Sequence, residues 1–148
     1  MSPRHDKRLK QSTLSSGTEL AQVRSLVAQA TQRLGHIDIV VNNAGIIQVG
    51  PMSKTTVEDF ANALDVMFWR TLYLTLAVLP QMWAQRSGHV VNITSIGSMV
   101  SIPHLLPYTY AKFATVGLSE DPWTELGQEG IPLTTEAGSC QSLWWSPC

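Results

Sequence analysis

Two short apolar segments that end in polar residues and glycine are the clearest strand signals in the chain. Ile37 to Val41 runs directly into Asn42-Asn43-Ala44-Gly45, and Val90 to Thr94 runs into Ser95. Short, mostly apolar runs of this length, followed by turn residues, are typical of buried parallel strands. Together with a later segment they predict three parallel strands, near residues 37–41, 89–94 and 131–135.

Apolar residues at three- and four-residue steps predict helices between these strands. One helix is expected from Glu19 to Leu34, and residues 56 to 85 read as one or two more, which Pro80 would kink or divide. A further helix begins near Pro107, and Pro122 predicts a kink or a break within it. Alternating helices and strands indicate the α/β class, with a partial Rossmann-like, doubly wound parallel sheet.

Tyr108 and Lys112 stand four residues apart at the start of this last helix, so their side chains are expected on one face. A fixed ammonium nearby favours the phenolate, which suits Tyr108 to exchange a proton with an alcohol or a carbonyl. Tyr110 is only two residues from Lys112 and is expected on another face. The same spacing also occurs on ordinary helix surfaces, where the tyrosine is simply solvated.

The two strand ends supply further polar candidates. Ser95 follows one strand, and the turn Asn43-Ala44-Gly45 follows the other. Because open parallel sheets bind ligands at the carboxyl ends of their strands, these turns and the Tyr108 helix are expected to converge on one crevice.

Together, Asn42-Asn43-Ala44-Gly45, Ser95 and Tyr108-x-x-x-Lys112 resemble the classical short-chain dehydrogenase/reductase family, over roughly residues 19 to 135. The resemblance implies hydride transfer between NAD or NADP and a small-molecule carbonyl or secondary alcohol, with neither the nucleotide nor the substrate specified. Ser95 would hydrogen-bond the substrate oxygen, Tyr108 would be the general acid or base, and Lys112 would support it and contact the nicotinamide ribose. Asn43, Ala44 and Gly45 would line the cofactor, beside Tyr108 and Lys112.

The sequence departs from that family at sites that matter for activity. In the family, the first βαβα portion and its glycine-rich phosphate turn precede the region that matches residue 19 onward. Here the residues before residue 19 contain a single glycine, Gly17, so the resemblance implies a copy truncated at both ends. Met67 and Arg70 stand where the family has a catalytic asparagine and a glycine. A thioether donates no hydrogen bond, so Met67 is expected to be a core residue. The alternative function is a catalytically inactive fragment that acts by association with partners.

Composition fits one globular domain. The chain has 148 residues, of which 44% are hydrophobic and 14% charged, and its net charge is −1, so neither nucleic acid nor membrane is expected as a partner. We expect a partial Rossmann-like domain over 19–138, a disordered or poorly packed tail over 1–18 and a non-family tail over 139–148.

The remaining expectations concern location and assembly. Cys140 and Cys148 have no spacing typical of a metal site, so no metal is expected. Without an evident targeting segment, the default location is cytoplasmic. Homo-oligomers are expected to form through the helices at 56–85 and 107–128.

Overall fold

The computed structural model describes residues 16–128 and 133–138. In chain order its main elements are α1 (Ser16–Leu34), β1 (Ile39–Asn42), α2 (Val57–Leu64), α3 (Arg70–Gln85), β2 (Gly88–Ile93), α4 (Leu106–Gln128) and β3 (Leu133–Gly138). A π-helical segment, Asp65–Trp69, joins α2 to α3, and 3-10 turns span Met52–Lys54 and Ile96–Ser98. The predicted tails at 1–18 and 139–148 lie outside the described residues, apart from residues 16–18, which begin α1.

The sheet has three parallel strands in the order β1-β2-β3. Ile39 pairs with His89, and Gly88 pairs with Leu133. Since each strand lies beside the previous one, right-handed crossovers carry the connecting helices over the same face. This confirms the partial Rossmann-like parallel sheet, and the three strands lie within a few residues of their predicted positions.

One face of the sheet forms the core with α1 and α3. Val40 and Val90 lie side by side on adjacent strands and pack with Val27, Val78 and Met82. Gly88 allows the closest approach, because a Cβ added there would lie 2.5 Å from Met82 Cγ. The alternate residues of β1 point the other way, and Ile39 and Val41 are 60% and 56% exposed.

The segment predicted at 56–85 is divided at a different place from the one expected. Pro80 lies inside the uninterrupted helix α3, so the predicted division there is wrong, and the irregularity is the π-helical segment Asp65–Trp69. Pro80 and Leu76, four residues before it, both lie on the exposed side of α3. Water can therefore satisfy the carbonyl that proline leaves unpaired.

Helix α4 also continues through its proline. Of the kink or break predicted at Pro122, the break is wrong, because α4 runs without interruption from Leu106 to Gln128. A single proline removes one hydrogen bond of the helical ladder, and a helix of 23 residues retains the others.

The helical stretch Val57–Gln85 is long and apolar enough to cross a membrane, judged by length and composition alone. Val78 and Met82 within it are fully buried against the sheet. Both residues pack in the core with Val40 of β1 and Val90 of β2.

Candidate active site

The first turns of α4 carry the predicted proton-transfer pair. Pro107 occupies the first turn of α4, where its missing N–H leaves no hydrogen bond broken. Lys112 is only 6% exposed, and its Nζ donates a hydrogen bond of 2.7 Å to the carbonyl oxygen of Ile93 at the end of β2. The same Nζ lies 6.0 Å from the centroid of the Tyr108 ring. Burial lowers the pKa of Lys112.

Ser95 lies on a tight turn that contacts Tyr108. Its Oγ accepts a hydrogen bond of 3.2 Å from the backbone N–H of Gly97, and its carbonyl oxygen accepts one from Ser98 Oγ. A Cβ added to Gly97 would lie 3.2 Å from Tyr108 Cε1, closer than an ordinary van der Waals contact, so the absence of a side chain at Gly97 helps this turn lie close to the ring. The fold thus brings Ser95, Tyr108 and Lys112 to one end of β2.

Tyr110 faces away from this group. It is 60% exposed, and its ring meets that of Phe60 edge to face, with 5.6 Å between centroids. Tyr108 is half-buried and packs beside Ala111 in the cluster between α2 and α4. The two tyrosines therefore lie on different faces of α4, as their spacing predicts.

The turn Asn43-Ala44-Gly45 is exposed and lies beyond the carboxyl end of β1. Since β1 and β2 are parallel neighbours, this turn and Ser95 lie at the same edge of the sheet. A Cβ added to Gly45 would lie 3.8 Å from Met67 Sδ, so the turn rests on the cluster that also contacts Tyr108.

Met67 is a core residue, which confirms the prediction from its thioether. It is 1% exposed and packs with Ala63, Val66 and Ala111. Its backbone carbonyl, within the π-helical segment, accepts hydrogen bonds from Thr71 Oγ1 and Thr115 Oγ1.

Arg70, which stands where the family has a glycine, lies at the surface. Its side chain is 47% exposed, and its guanidinium lies 3.3 Å from the carboxylate of Asp65, five residues earlier in the chain. The charge therefore has both water and a partner.

A row of buried polar groups was not foreseen from the sequence. Asn42 Nδ2 donates to Asn92 Oδ1 at 2.8 Å, and Asn92 Nδ2 donates to Ser119 Oγ at 2.9 Å. The available signal was an asparagine at a matching place in two otherwise apolar strands. Within the part of the chain that the structure describes, no group of His, Cys, Asp and Glu side chains fits a metal ion.

Comparison with known proteins points to one family. The family model described as short chain dehydrogenase matches residues 14–138. Oxidoreductase BOA17 of Botryotinia fuckeliana is 32% identical over 128 residues, which are 86% of this chain and 47% of that protein. Sepiapterin reductase of Chlorobaculum tepidum is 38% identical over 103 residues, which are 70% of this chain and 42% of that protein.

A solved structure gives the same result for the fold. Gluconate 5-dehydrogenase from Burkholderia cenocepacia, in complex with NADP and tartrate, superposes with a TM-score of 0.72 at 28% identity. The match covers 84% of this chain and 48% of that one. The chain thus spans less than half the length of each of these three proteins.

Proposed function

Because this chain belongs to the short-chain dehydrogenase family, we propose that it is an NAD(P)-dependent oxidoreductase acting on a carbonyl or a secondary alcohol. The observation that carries the proposal is the contact geometry at the end of β2. The Tyr108 ring lies against the turn that holds Ser95, and the buried Lys112 ammonium lies 6.0 Å from the ring centroid.

Each of the three side chains has a distinct role in the proposed reaction. The Ser95 hydroxyl donates a hydrogen bond to the substrate oxygen and so stabilises the charge that develops there. Tyr108 gives its phenolic proton to that oxygen during reduction and takes it back during oxidation. Lys112 places a cation beside the reacting phenol, 6.0 Å from the centroid of the Tyr108 ring, in a site that excludes most water.

The described residues fit the nicotinamide and ribose side of a dinucleotide. Lys112 gives one hydrogen bond to Ile93 and, as an ammonium, has two more N–H donors for ribose hydroxyls. The small residues Ala44 and Gly45 are exposed and leave room for a ligand at the same sheet edge. Bound there, the nicotinamide supplies or accepts the hydride.

The pyrophosphate has no glycine-rich cradle among residues 16–128 and 133–138. Affinity for the nucleotide in this chain is therefore expected to come from Lys112 and the turn Asn43-Ala44-Gly45. That one solved relative holds NADP supports a nicotinamide dinucleotide as the ligand. The proposed ligand is NAD or NADP.

A turnover assay with paired tyrosine variants tests the proposal. NADH and NADPH oxidation is followed with a panel of aldehydes and ketones, and NAD and NADP reduction with secondary alcohols. Tyr108→Phe is expected to lower the rate by about 10²- to 10⁴-fold, the usual contribution of a general acid. Tyr110→Phe, which removes a hydroxyl from the exposed face of the same helix, is expected to leave it unchanged. Equal losses in both variants, or no turnover by the unaltered chain, would contradict the proposal.

A specific surface feature favours a second candidate function, association through helices. Trp69, Leu76 and Trp83 recur every seven residues, share one side of the 56–85 helical segment and are between 43% and 46% exposed. On α4, Tyr110 and Phe113 are 60% and 46% exposed. Exposed apolar side chains at heptad spacing are typical of a helix that pairs with another helix. We therefore propose homo-oligomers formed through the helices at 56–85 and 107–128.

Light scattering on size-exclusion fractions tests this association. The unaltered chain is expected to elute as a dimer or larger, and Leu76→Glu is expected to shift it toward the monomer. Leu26→Glu is the matched control, because Leu26 is an apolar residue that is 62% exposed on α1. A monomeric unaltered chain, or the same shift from both variants, would contradict association through α3.

A further inference from the structure

A continuous line of side-chain hydrogen bonds joins β1, β2 and α4 behind the proposed site. Asn42 Nδ2 donates to Asn92 Oδ1 at 2.8 Å, Asn92 Nδ2 donates to Ser119 Oγ at 2.9 Å, and Ser119 Oγ donates to the carbonyl of Thr115 at 2.8 Å. Asn92 and Ser119 are 1% and 2% exposed. The proposed proton transfer uses none of these groups.

An asparagine at this place is not explained by burial alone. Val90, two residues earlier on the same face of β2, is apolar and equally buried. A buried amide gains little net stability even when it is paired, and it costs stability when it is not. The amide of Asn92 instead constrains the orientation of its neighbours, because its oxygen and its nitrogen each require a hydrogen-bond partner within a narrow range of angles.

One end of this line of hydrogen bonds adjoins the proposed cofactor turn, and the other end lies on the helix that carries Lys112. Asn42 ends β1 and is followed directly by the turn Asn43-Ala44-Gly45. On the other side, Ser119 lies seven residues after Lys112, which places both on one side of α4. Ile93, the residue after Asn92, accepts the 2.7 Å hydrogen bond from Lys112 Nζ.

We propose that Asn92 is a positioning residue whose amide fixes the turn Asn43-Ala44-Gly45 relative to the Lys112 ammonium. Its importance for catalysis rests on the proposed function, whereas its effect on Lys112 does not. When the amide is removed, β1 keeps its backbone pairing with β2, and α4 keeps its contacts with β2. They lose the side-chain link that sets the distance between them, and the environment of Lys112 loosens.

The test is a nuclear magnetic resonance titration of the Lys112 side chain in the ligand-free chain. The protein has four lysines, so the Lys112 signal is assigned by its disappearance in Lys112→Met. Asn92→Leu keeps a side chain of similar size without the amide. It is expected to move the titration midpoint of Lys112 upward by about half a pH unit, because a looser site admits water. It is also expected to weaken NADH binding about fivefold.

Matched variants separate positioning from general destabilisation. Thr31→Val breaks another hydrogen bond between elements, from Thr31 Oγ1 to Gln81 Oε1 at 2.7 Å, away from the site. It is expected to leave the Lys112 midpoint unchanged. Ser119→Ala removes one link of the line and keeps the strand intact, so it tests the same point if Asn92→Leu does not fold. Ser119→Thr restores the hydroxyl and is expected to restore the midpoint.

The outcomes distinguish this inference from the proposed function. An unchanged Lys112 midpoint in folded Asn92→Leu or Ser119→Ala would overturn the positioning role, whatever happens to stability. The same shift in Thr31→Val would overturn it as well. If the unaltered chain binds no NADH, the proposed function fails, but the titration still decides whether Asn92 positions Lys112.

Discussion

The carboxyl ends of β1 and β2 lie side by side in the same sheet and are built very differently. At the end of β2, Lys112 is 6% exposed and bonded to Ile93, and Tyr108 is packed against Gly97. At the end of β1, the turn Asn43-Ala44-Gly45 is exposed. Contacts within the described chain thus hold Tyr108 and Lys112 in place, whereas the turn Asn43-Ala44-Gly45 is exposed to solvent.

The difference follows from what each group requires. A buried ammonium must have a hydrogen-bond acceptor and a fixed surrounding, because an unpaired charge is costly to bury. A turn of small residues needs only accessible space and support from below, which Met67 provides. Changes at the β2 end should therefore affect chemistry and stability together, and changes at the β1 end should affect ligand binding alone.

The largest expected effect comes from removing the support that both ends share. Met67→Ala leaves a cavity beneath Gly45 and beside Tyr108, and we expect it to lower the free energy of unfolding by about 2 to 5 kcal/mol. Met52→Ala is the control, since Met52 is 76% exposed. Urea unfolding of both variants measures the difference. A loss under 1 kcal/mol for Met67→Ala would show that the two ends do not share this support.

The next largest expected effect is on turnover, and it tests the role of the Ser95 hydroxyl at the end of β2. Ser95→Ala is expected to lower turnover by about 10²-fold, roughly 2.7 kcal/mol, because the substrate oxygen loses a hydrogen-bond donor. Ser98→Ala removes a hydroxyl from the same turn and leaves the Ser95 hydroxyl in place. We expect it to change turnover less than fivefold, on the order of 1 kcal/mol. Steady-state rates that fall equally in the two variants would assign Ser95 a purely structural role.

A smaller effect concerns the buried charge and its pH dependence. Burial lowers the pKa of Lys112 in the folded state. At pH values between the pKa of Lys112 in the folded chain and its pKa in the unfolded chain, the unfolded chain therefore binds more protons. The free energy of unfolding should therefore rise with pH across this window, and the folded state bears the full cost of the charge below it. Lys112→Met is expected to lack this rise.

At neutral pH, Lys112→Met is expected to change stability by about 1 kcal/mol or less, because losing the bond to Ile93 offsets removal of the buried charge. Urea unfolding at pH 7 and at pH 10 measures both quantities. Parallel changes with pH in the variant and the unaltered chain would contradict the burial of this ammonium.

The smallest stability effect is expected at the β1 end. A Cβ at Gly45 would meet Met67 Sδ at 3.8 Å, an ordinary contact distance, so Gly45→Ala should change the free energy of unfolding by less than about 0.5 kcal/mol. The added methyl group projects into the proposed ligand region and should weaken NADH binding. Unchanged affinity in this variant would remove Gly45 from the cofactor site.

The sequence was sufficient to predict the strands and the placement of Tyr108 and Lys112 on one helix. Val90 to Thr94 is a mostly apolar run that contains Asn92, and the spacing of Tyr108 and Lys112 is fixed by the helix, so these features depend on local pattern. The contact of Tyr108 with Gly97 joins two different elements. Local pattern suggested only that both would lie at the same edge of the sheet.

Features that depend on tertiary packing were missed or misplaced. Pro80 carries a strong local signal for a break, but its exposed position lets water satisfy the freed carbonyl. The π-helical segment Asp65–Trp69 has no comparable local signal. Asn92 and Ser119 are 27 residues apart, and only the crossing of α4 over β2 makes them partners.

The central claim is that this chain forms a site for a nicotinamide dinucleotide at the end of β1 and β2. A fluorescence titration of the folded chain with NADH and with NADPH tests it most directly. We predict saturable binding with a Kd below about 1 mM, roughly −4 kcal/mol, for at least one of them, weakened in Gly45→Ala. A folded chain whose signal does not saturate with either nucleotide would contradict the claim and leave association through α3 and α4 as the function to pursue.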